Sequence, residues 1–177
     1  MIRCVVTGQQ ADGRSVFVYD GDRESLDLAL MPAETEFLRL WGADTTPSLP
    51  TDGAPPDQPT FFPPAGGYRF VFFTLAPASS QLGPIEDMNA AVAEFEAALP
   101  EMGKWMEPEN PGMHTTDTVD LDIVLSGEVW LELDDGAEVH LKAGDCVIQN
   151  GTRHAWHNRT EEPTRMFAAL IGATRSP

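Results

Sequence analysis

The sequence predicts a mainly β protein, a small antiparallel sandwich or barrel. Three observations carry this. Residues 112–171 break into short apolar runs separated by Gly, Asn and Asp turns at close intervals. Within those runs polarity alternates with a period of two, which a strand converts into two chemically distinct faces. Only one stretch of the 177 residues carries a persuasive helical period.

In chain order, residues 2–7 read as a strand, 11–14 as a turn and 15–19 as a second strand, so the chain is expected to open with a hairpin. Residues 20–32 carry no clear signal, and 37–41 read as a short strand. From 47 to 67 the composition changes. Pro47, Pro50, Pro55, Pro56, Pro59, Pro63 and Pro64 fall here, and proline fixes φ and removes a donor. A long surface loop follows. Its Phe61-Phe62 pair is expected to pin onto the core or a partner subunit, or to act as a lid. Residues 68–75 (Tyr-Arg-Phe-Val-Phe-Phe-Thr-Leu) are apolar on both sides and read as a central or interface strand.

The helix is placed over 84–102, with Ile85, Met88, Ala91, Val92, Phe95, Ala98, Leu99 and Met102 on one stripe, Pro84 in its first turn, and Pro100 as a reason to end sooner. Residues 128–133 and 138–141 flank Asp134-Asp135-Gly136, a strong hairpin turn. Short strands are expected at 146–149, 154–158 and 166–171.

Composition bounds the function. The formal net charge is −17 and the pI about 4.3. Such a chain repels phosphate backbones and acidic lipid surfaces, so neither nucleic acid nor membrane is an expected partner. Cys4 and Cys146 are too far apart in sequence to read as a metal motif or a disulfide framework, and Cys146 is expected to be buried. No run approaches the ~20 apolar residues that span a bilayer. A soluble, cytoplasmic protein is expected.

The stretch that carries chemistry runs from Gly112 to Asn158. His114, Thr116, Thr118 and Asp120 are spaced by two, so one strand face gathers them, with Leu121, Ile123 and Leu125 packed on the other. A second strand gathers His154, Trp156 and Asn158. The two sets are expected to converge in one cavity, with Trp130 as a further wall. His157 should face away, and His140 should be a surface residue.

These residues resemble the cupin family, whose pattern has two blocks separated by a hairpin. His114 matches the first histidine of block one, Asp120 falls at its glutamate, and Gly127 closes it. Gly144-Asp145 opens block two, Gly151-Thr152-Arg153-His154 matches its histidine turn, and Asn158 closes it. The resemblance covers about residues 112–171. There are departures. Thr116 stands in place of a second histidine, Asp120 is a shortened glutamate, Asn150 lies near the usual proline, and Pro108 sits where block one should begin with glycine.

The resemblance implies a cupin-type double-stranded β-helix, a jelly-roll barrel, with an N-terminal β extension and one helix. Residues 1–111 would form the extension packed on a core of 112–177, in one structural domain. It also implies a homodimer, with strands such as 68–75 at the interface.

For the site, the resemblance implies a metal held by His114, Asp120 and His154, an iron, manganese, nickel or zinc ion. Two histidines and a carboxylate are the ligand set of the facial triad. Against this, metal–ligand distances tolerate only ~0.2 Å, while one lost methylene withdraws the carboxylate by ~1.5 Å. The other reading is a pair of hydrogen-bonded cavity histidines without an ion. With a metal, the cupin range of dioxygenases, decarboxylases and isomerases opens. Without one, Asp120 and His154 would be the catalytic acid–base pair. In either case Thr116, Thr118, Trp130, Trp156 and Asn158 would bind the substrate. A non-catalytic small-molecule-binding protein stands as the alternative.

Overall fold

A computed structural model describes residues 1–176. The chain is mainly β. Eleven strands run in order: β1 (Ile2–Gln9), β2 (Ser15–Arg23), β3 (Leu26–Asp27), β4 (Glu36–Ala43), β5 (Tyr68–Leu75), β6 (Thr118–Ser126), β7 (Glu128–Glu132), β8 (Glu138–Lys142), β9 (Cys146–Asn150), β10 (Ala155–His157) and β11 (Thr164–Gly172). One helix, α1 (Met88–Ala98), and short 3-10 turns at Met102–Trp105 and Asp134–Gly136 complete it.

The strands form three antiparallel sheets. β1 and β2 make the opening hairpin, β10-β7-β8 a small sheet, and β3-β4-β5-β11-β6-β9 a large one. The small and large sheets are the two walls of the jelly roll, and they are not hydrogen-bonded into a closed ring. A core of Val124, Val129, Leu131, Leu141 and Met166 fills one end between them. A second core of Leu28, Phe37, Phe61, Phe62, Val71, Leu99 and Met102 fills the other. β4 and β5 of the N-terminal half are thus built into the same sheet as β11 and β6.

The helix is shorter than its apolar stripe suggests. Asp87 caps it, its carboxylate accepting from the backbone N–H of Asn89 and Ala90 at 3.0 Å. Residues 84–86 therefore stay outside. Leu99 ends it ahead of Pro100, as the steric restriction before proline requires. Met88 and Val92 are exposed, and the helix packs through the buried Ala91 and the half-buried Phe95 and Ala98, so only part of the stripe is covered.

The proline-rich segment carries no regular element but is firmly attached. Gly66 donates to the Gly172 carbonyl at 3.0 Å, and the Gly172 N–H donates to Gly67 at 2.9 Å. A Cβ on Gly172 would lie 1.8 Å from the Pro64 carbonyl oxygen, so only glycine permits this approach. Phe61 and Phe62 are buried, packed edge-on at 4.9 Å, in the core rather than over it. Arg69, fully buried on β5, ties the same loop down through the Thr60 carbonyl, the Ala43 carbonyl and an ion pair with Asp44.

Two expectations are corrected. Leu121 and Leu125 do not pack into a core. The outward face of the large sheet is the apolar one, and Phe70, Val119, Leu121, Leu125, Ile148 and Ile171 are all exposed on it. Cys146 is exposed rather than buried, because it opens β9 at the sheet edge with its side chain on that outer face.

Candidate functional site

The interior face of β6 is polar. Alternation along the strand sends Thr118, Asp120 and Asp122 inward, leaving Asp120 4% and Asp122 5% exposed. His114 reaches the same interior from the segment before β6, and His154 from the segment before β10. Their backbones form an isolated antiparallel bridge, each N–H donating to the other's carbonyl at 2.9 Å. That bridge brings the rings to 4.1 Å, centroid to centroid.

Between the sheets lies a cavity of about 210 Å³. Its floor is His114, Thr116, Asp120, Asp122 and His154. Its walls are apolar, and many come from the N-terminal half: Met31, Phe37, Phe61, Phe62, Val71, Phe73 and Met102, with Met106, Trp156 and Ala168 completing them. Trp156 stands perpendicular to His154 at 5.8 Å, and Phe62 tilts against His114 at 6.4 Å.

The histidine tautomers follow from their partners. Nδ1 of His114 donates to the Gly112 carbonyl at 2.9 Å, and Nδ1 of His154 to the Thr152 carbonyl at 2.9 Å. A carbonyl can only accept, so in each neutral ring Nδ1 carries the proton and Nε2 keeps a lone pair. Burial holds both rings neutral. It lowers His114, and it lowers His154 to about 4 with help from the neighbouring His114.

The carboxyls move the other way. Burial pushes Asp120 up to about 6, opposed by the Thr118 hydroxyl. Burial pushes Asp122 up to about 8, reinforced by the charge of Asp120. Oδ1 of Asp120 is buried without a hydrogen-bond partner. Directly across the ladder, Nε2 of Gln149 is also buried and unpaired. An unsatisfied buried group costs about 1–3 kcal/mol, so this floor is built to meet something.

Arg153, next to His154, clamps the site from behind. It holds Glu107 in a two-point pair at 2.6 and 2.8 Å and reaches Asp134 at 3.0 Å. This pairing lowers Glu107 to about 2. At the far end of β6, Gly127 permits the turn into β7 with φ at 79°, and a Cβ there would sit 2.7 Å from the Thr164 hydroxyl.

Of the residues singled out from sequence, His114, Thr116, Asp120, His154 and Trp156 share this cavity. Thr118 is buried behind Thr116, hydroxyl to hydroxyl at 2.8 Å. Trp130 is not at the site. Leu131 and Val129 take the inward positions of β7, so Trp130 points outward and stacks on His140 at 4.1 Å. Asn158 is not there either. It lies past the end of β10, donating to the Leu75 and Glu162 carbonyls at 3.2 and 2.7 Å and accepting from Thr160, which makes it a turn brace. Asp122 escaped the sequence reading, although the same two-residue spacing that gathers His114 through Asp120 extends to it.

The donors do not fit the three-ligand metal centre that the resemblance implies. Among the described residues, the one group of His, Cys, Asp or Glu whose ligand atoms all lie within 4.8 Å of one another is Glu132, Glu138 and His157, outside the cavity. His114, Asp120 and His154 do not form such a group. An aspartate at 120 is one methylene shorter than the glutamate of the pattern, which withdraws its carboxylate by ~1.5 Å. The Glu132–Glu138–His157 group is a possible His/Glu metal set, but it is already internally paired: His157 bonds Glu132 at 2.7 Å, and Glu138 is held by Arg159.

The comparisons with known proteins agree with this architecture. Residues 106–170 match the profile of the Cupin domain family. Over 48 residues the chain is 48% identical to the Phomopsin biosynthesis cluster protein C' of Diaporthe leptostromiformis, covering 27% of this chain and 25% of that protein. Over 62 residues it is 37% identical to the cupin-domain-containing oxidoreductase virC of Hypocrea virens, covering 33% and 32%. The matched stretch thus spans between a quarter and a third of the length of these relatives. A solved cupin 2 conserved barrel domain protein from Salinispora arenicola superposes with a TM-score of 0.44 at 20% identity, over 86% of this chain and 89% of that one. The two-block motif thus lies within the stretch, residues 106–170, that matches the Cupin domain family.

Proposed function

We propose that this protein is an enzyme that moves protons on a small organic molecule held in the cavity, a lyase of the dehydratase kind or an isomerase. The observation that carries the proposal is the pair of carboxyls on one strand face whose environments separate them, Asp120 near 6 and Asp122 near 8. At neutral pH the first is mostly ionised and the second mostly protonated. Two titratable groups pushed apart in one water-poor site divide into a base and an acid. Asp120 takes a proton from carbon, and Asp122 delivers one to the departing hydroxyl or the carbonyl oxygen. The step leaves Asp120 protonated and Asp122 ionised; Asp120 then releases its proton and Asp122 takes one up, directly or through water, with no net proton gained or lost by the pair. His114 and His154 accept hydrogen bonds from the substrate through Nε2 and hold it over Asp120. One relative named for a biosynthesis cluster and one named as an oxidoreductase support an enzymatic reading.

The test is hydrogen exchange. The protein is incubated in deuterated water with a library of small carbonyl and hydroxy compounds, and mass spectrometry reads deuterium gain or loss of water. Activity that survives chelation and disappears in Asp120→Asn and Asp122→Asn supports the proposal. Activity that follows added metal and ignores Asp122→Asn refutes it, and elemental analysis of untagged protein then decides which ion His114 and His154 hold.

We also infer a homodimer. The exposed apolar strip on the outer face of the large sheet, with Phe70, Phe72 and Phe167 clustered at 5.1–6.3 Å across β5 and β11, is a surface a second copy would cover. The chain's acidity argues against nucleic acid as a partner. Sedimentation should show a dimer at micromolar concentration, and Phe70→Glu should shift it to monomer.

A further inference from the structure

We infer that the cavity takes a neutral molecule of one or two aromatic rings bearing adjacent hydroxyl groups, and that it turns away free carboxylates. This deepens the functional reading above and rests on the cavity being the site. Size comes first. At about 210 Å³ the cavity exceeds the ~150 Å³ that accommodates benzene and falls below the ~300 Å³ at which drug-sized pockets begin. One ring fits with room for substituents, and two rings fill it.

Shape and chemistry of the wall come next. Phe37, Phe61, Phe62, Phe73 and Trp156 present ring faces and edges to the cavity, which suits a flat π-system in offset or edge contact. Methionines from two separate segments, Met31 and the Met102–Met106 turn, add deformable, polarisable surface beside them.

The floor decides the polar end of the ligand. Each imidazole has spent its N–H on a backbone carbonyl, so it offers Nε2 as an acceptor. Asp120 adds a buried carboxylate oxygen with no partner. Acceptors thus outnumber donors on the floor, where the Asp122 carboxyl carries a proton and the Thr116 hydroxyl is engaged by Thr118, and the lining contains neither lysine nor arginine. A ligand satisfies such a floor by donating. Two neighbouring O–H groups donate to Nε2 and to Asp120 together. A carboxylate brings acceptors to acceptors and a second negative charge beside Asp120, with no cation to offset either. An ammonium donates, but it must shed its hydration to enter an apolar chamber, which is costly for a full charge.

The experiment is calorimetric titration of the full-length protein, in the presence of a chelator, with catechol, its dimethyl ether veratrole, benzoate and benzylamine. Quenching of tryptophan emission by catechol, lost when Trp156 is replaced by Phe, places the binding. Catechol should bind at least about tenfold more tightly than veratrole, since donation to a charged acceptor is worth about one order of magnitude or more, and benzoate should not bind measurably. Asp120→Asn should shrink the catechol preference several-fold. Ala168→Phe, which fills the chamber, should abolish binding while circular dichroism shows the fold intact.

Equal binding of veratrole, preference for benzoate or benzylamine, binding of none of the four, or catechol binding that Ala168→Phe leaves untouched would each overturn the inference. Its failure is separable from that of the catalytic reading. Selective catechol binding without deuterium exchange keeps the ligand class and removes the chemistry, whereas exchange without catechol selectivity does the reverse.

Discussion

The four histidines lie in two pairs on opposite sides of the small β10-β7-β8 sheet, His140 and His157 on its outer face and His114 and His154 in the cavity, and the two pairs are treated oppositely. On the outer face, His140 and His157 bond glutamates, Glu128 at 2.8 Å and Glu132 at 2.7 Å. Each imidazole there has an acid partner and partial solvent exposure, and His140 also stacks on Trp130, over which Arg159 lies. On the inner side, His114 and His154 bond only backbone carbonyls, while the carboxyls that could have paired with them, Asp120 and Asp122, are buried, and Oδ1 of Asp120 has no partner. Pairing an acid with a base spends the reactivity of both. Keeping them in one cavity but apart leaves lone pairs and protons available to a ligand. The difference teaches that residue type alone says little about these four histidines, and partner type says a great deal.

The sharpest way to break this comparison is to remove one histidine from each face. His154→Ala should lower kcat/KM at least ~100-fold, the lower range for a positioned acid–base site, with thermal stability little changed. Retention of full activity would dissolve the inner site. The wall offers the next largest effect. Phe62→Ala deletes a buried ring and should destabilise the chain by about 3–5 kcal/mol, read as a fall in the denaturant midpoint.

A third test uses pH. Asp122 keeps its proton in the folded chain up to about 8, whereas an unfolded aspartate loses it near 3.8. A raised pKa of this kind stabilises the fold below the unfolded value, and that contribution is lost as pH climbs through the folded one. His154, lowered from 6.5 to about 4, has the opposite sign: stability is gained between those values and complete above the upper one. Below pH 6.5 the inner acids and inner histidines therefore largely offset each other. Above it Asp122 acts alone, and stability should fall by about 2 kcal/mol between pH 6.5 and 8, at 1.36 kcal/mol per unit. Asp122→Asn should flatten that limb, and an unchanged slope would show that Asp122 holds no proton in the fold. The smallest effect belongs to the outer face. His157→Ala should leave turnover within about twofold and cost at most ~1 kcal/mol, as exposed pairs do, and a large loss of activity would move the site to Glu132, Glu138 and His157.

Much of this was legible in sequence. The alternation that gathers His114, Thr116 and Asp120 is local geometry, as is the placement of β5 over Tyr68–Leu75. His154 and Trp156 reach the cavity for the same reason. Trp130 and Asn158 went astray because a strand's period divides residues into two faces without saying which face is inside. For Trp130 the neighbouring β7 side chains took the interior, and for Asn158 the strand had already ended. The helix over-ran because its apolar stripe continued beyond the Asp87 cap and the Pro100 stop.

By itself the sequence determined which residues share a face, where turns must fall, and that two motif blocks around a hairpin resemble the cupin pattern over the stretch that matches the Cupin domain family. Those properties depend on φ, ψ and periodicity within a few residues. Only the tertiary structure decided that the acids and imidazoles meet in one chamber without pairing, that Phe61 and Phe62 wall it from a loop with no regular structure, and that the apolar side of β6 faces outward. Each of those outcomes depends on segments far apart in the chain competing for the same volume and the same hydrogen bonds, and no local pattern records who wins.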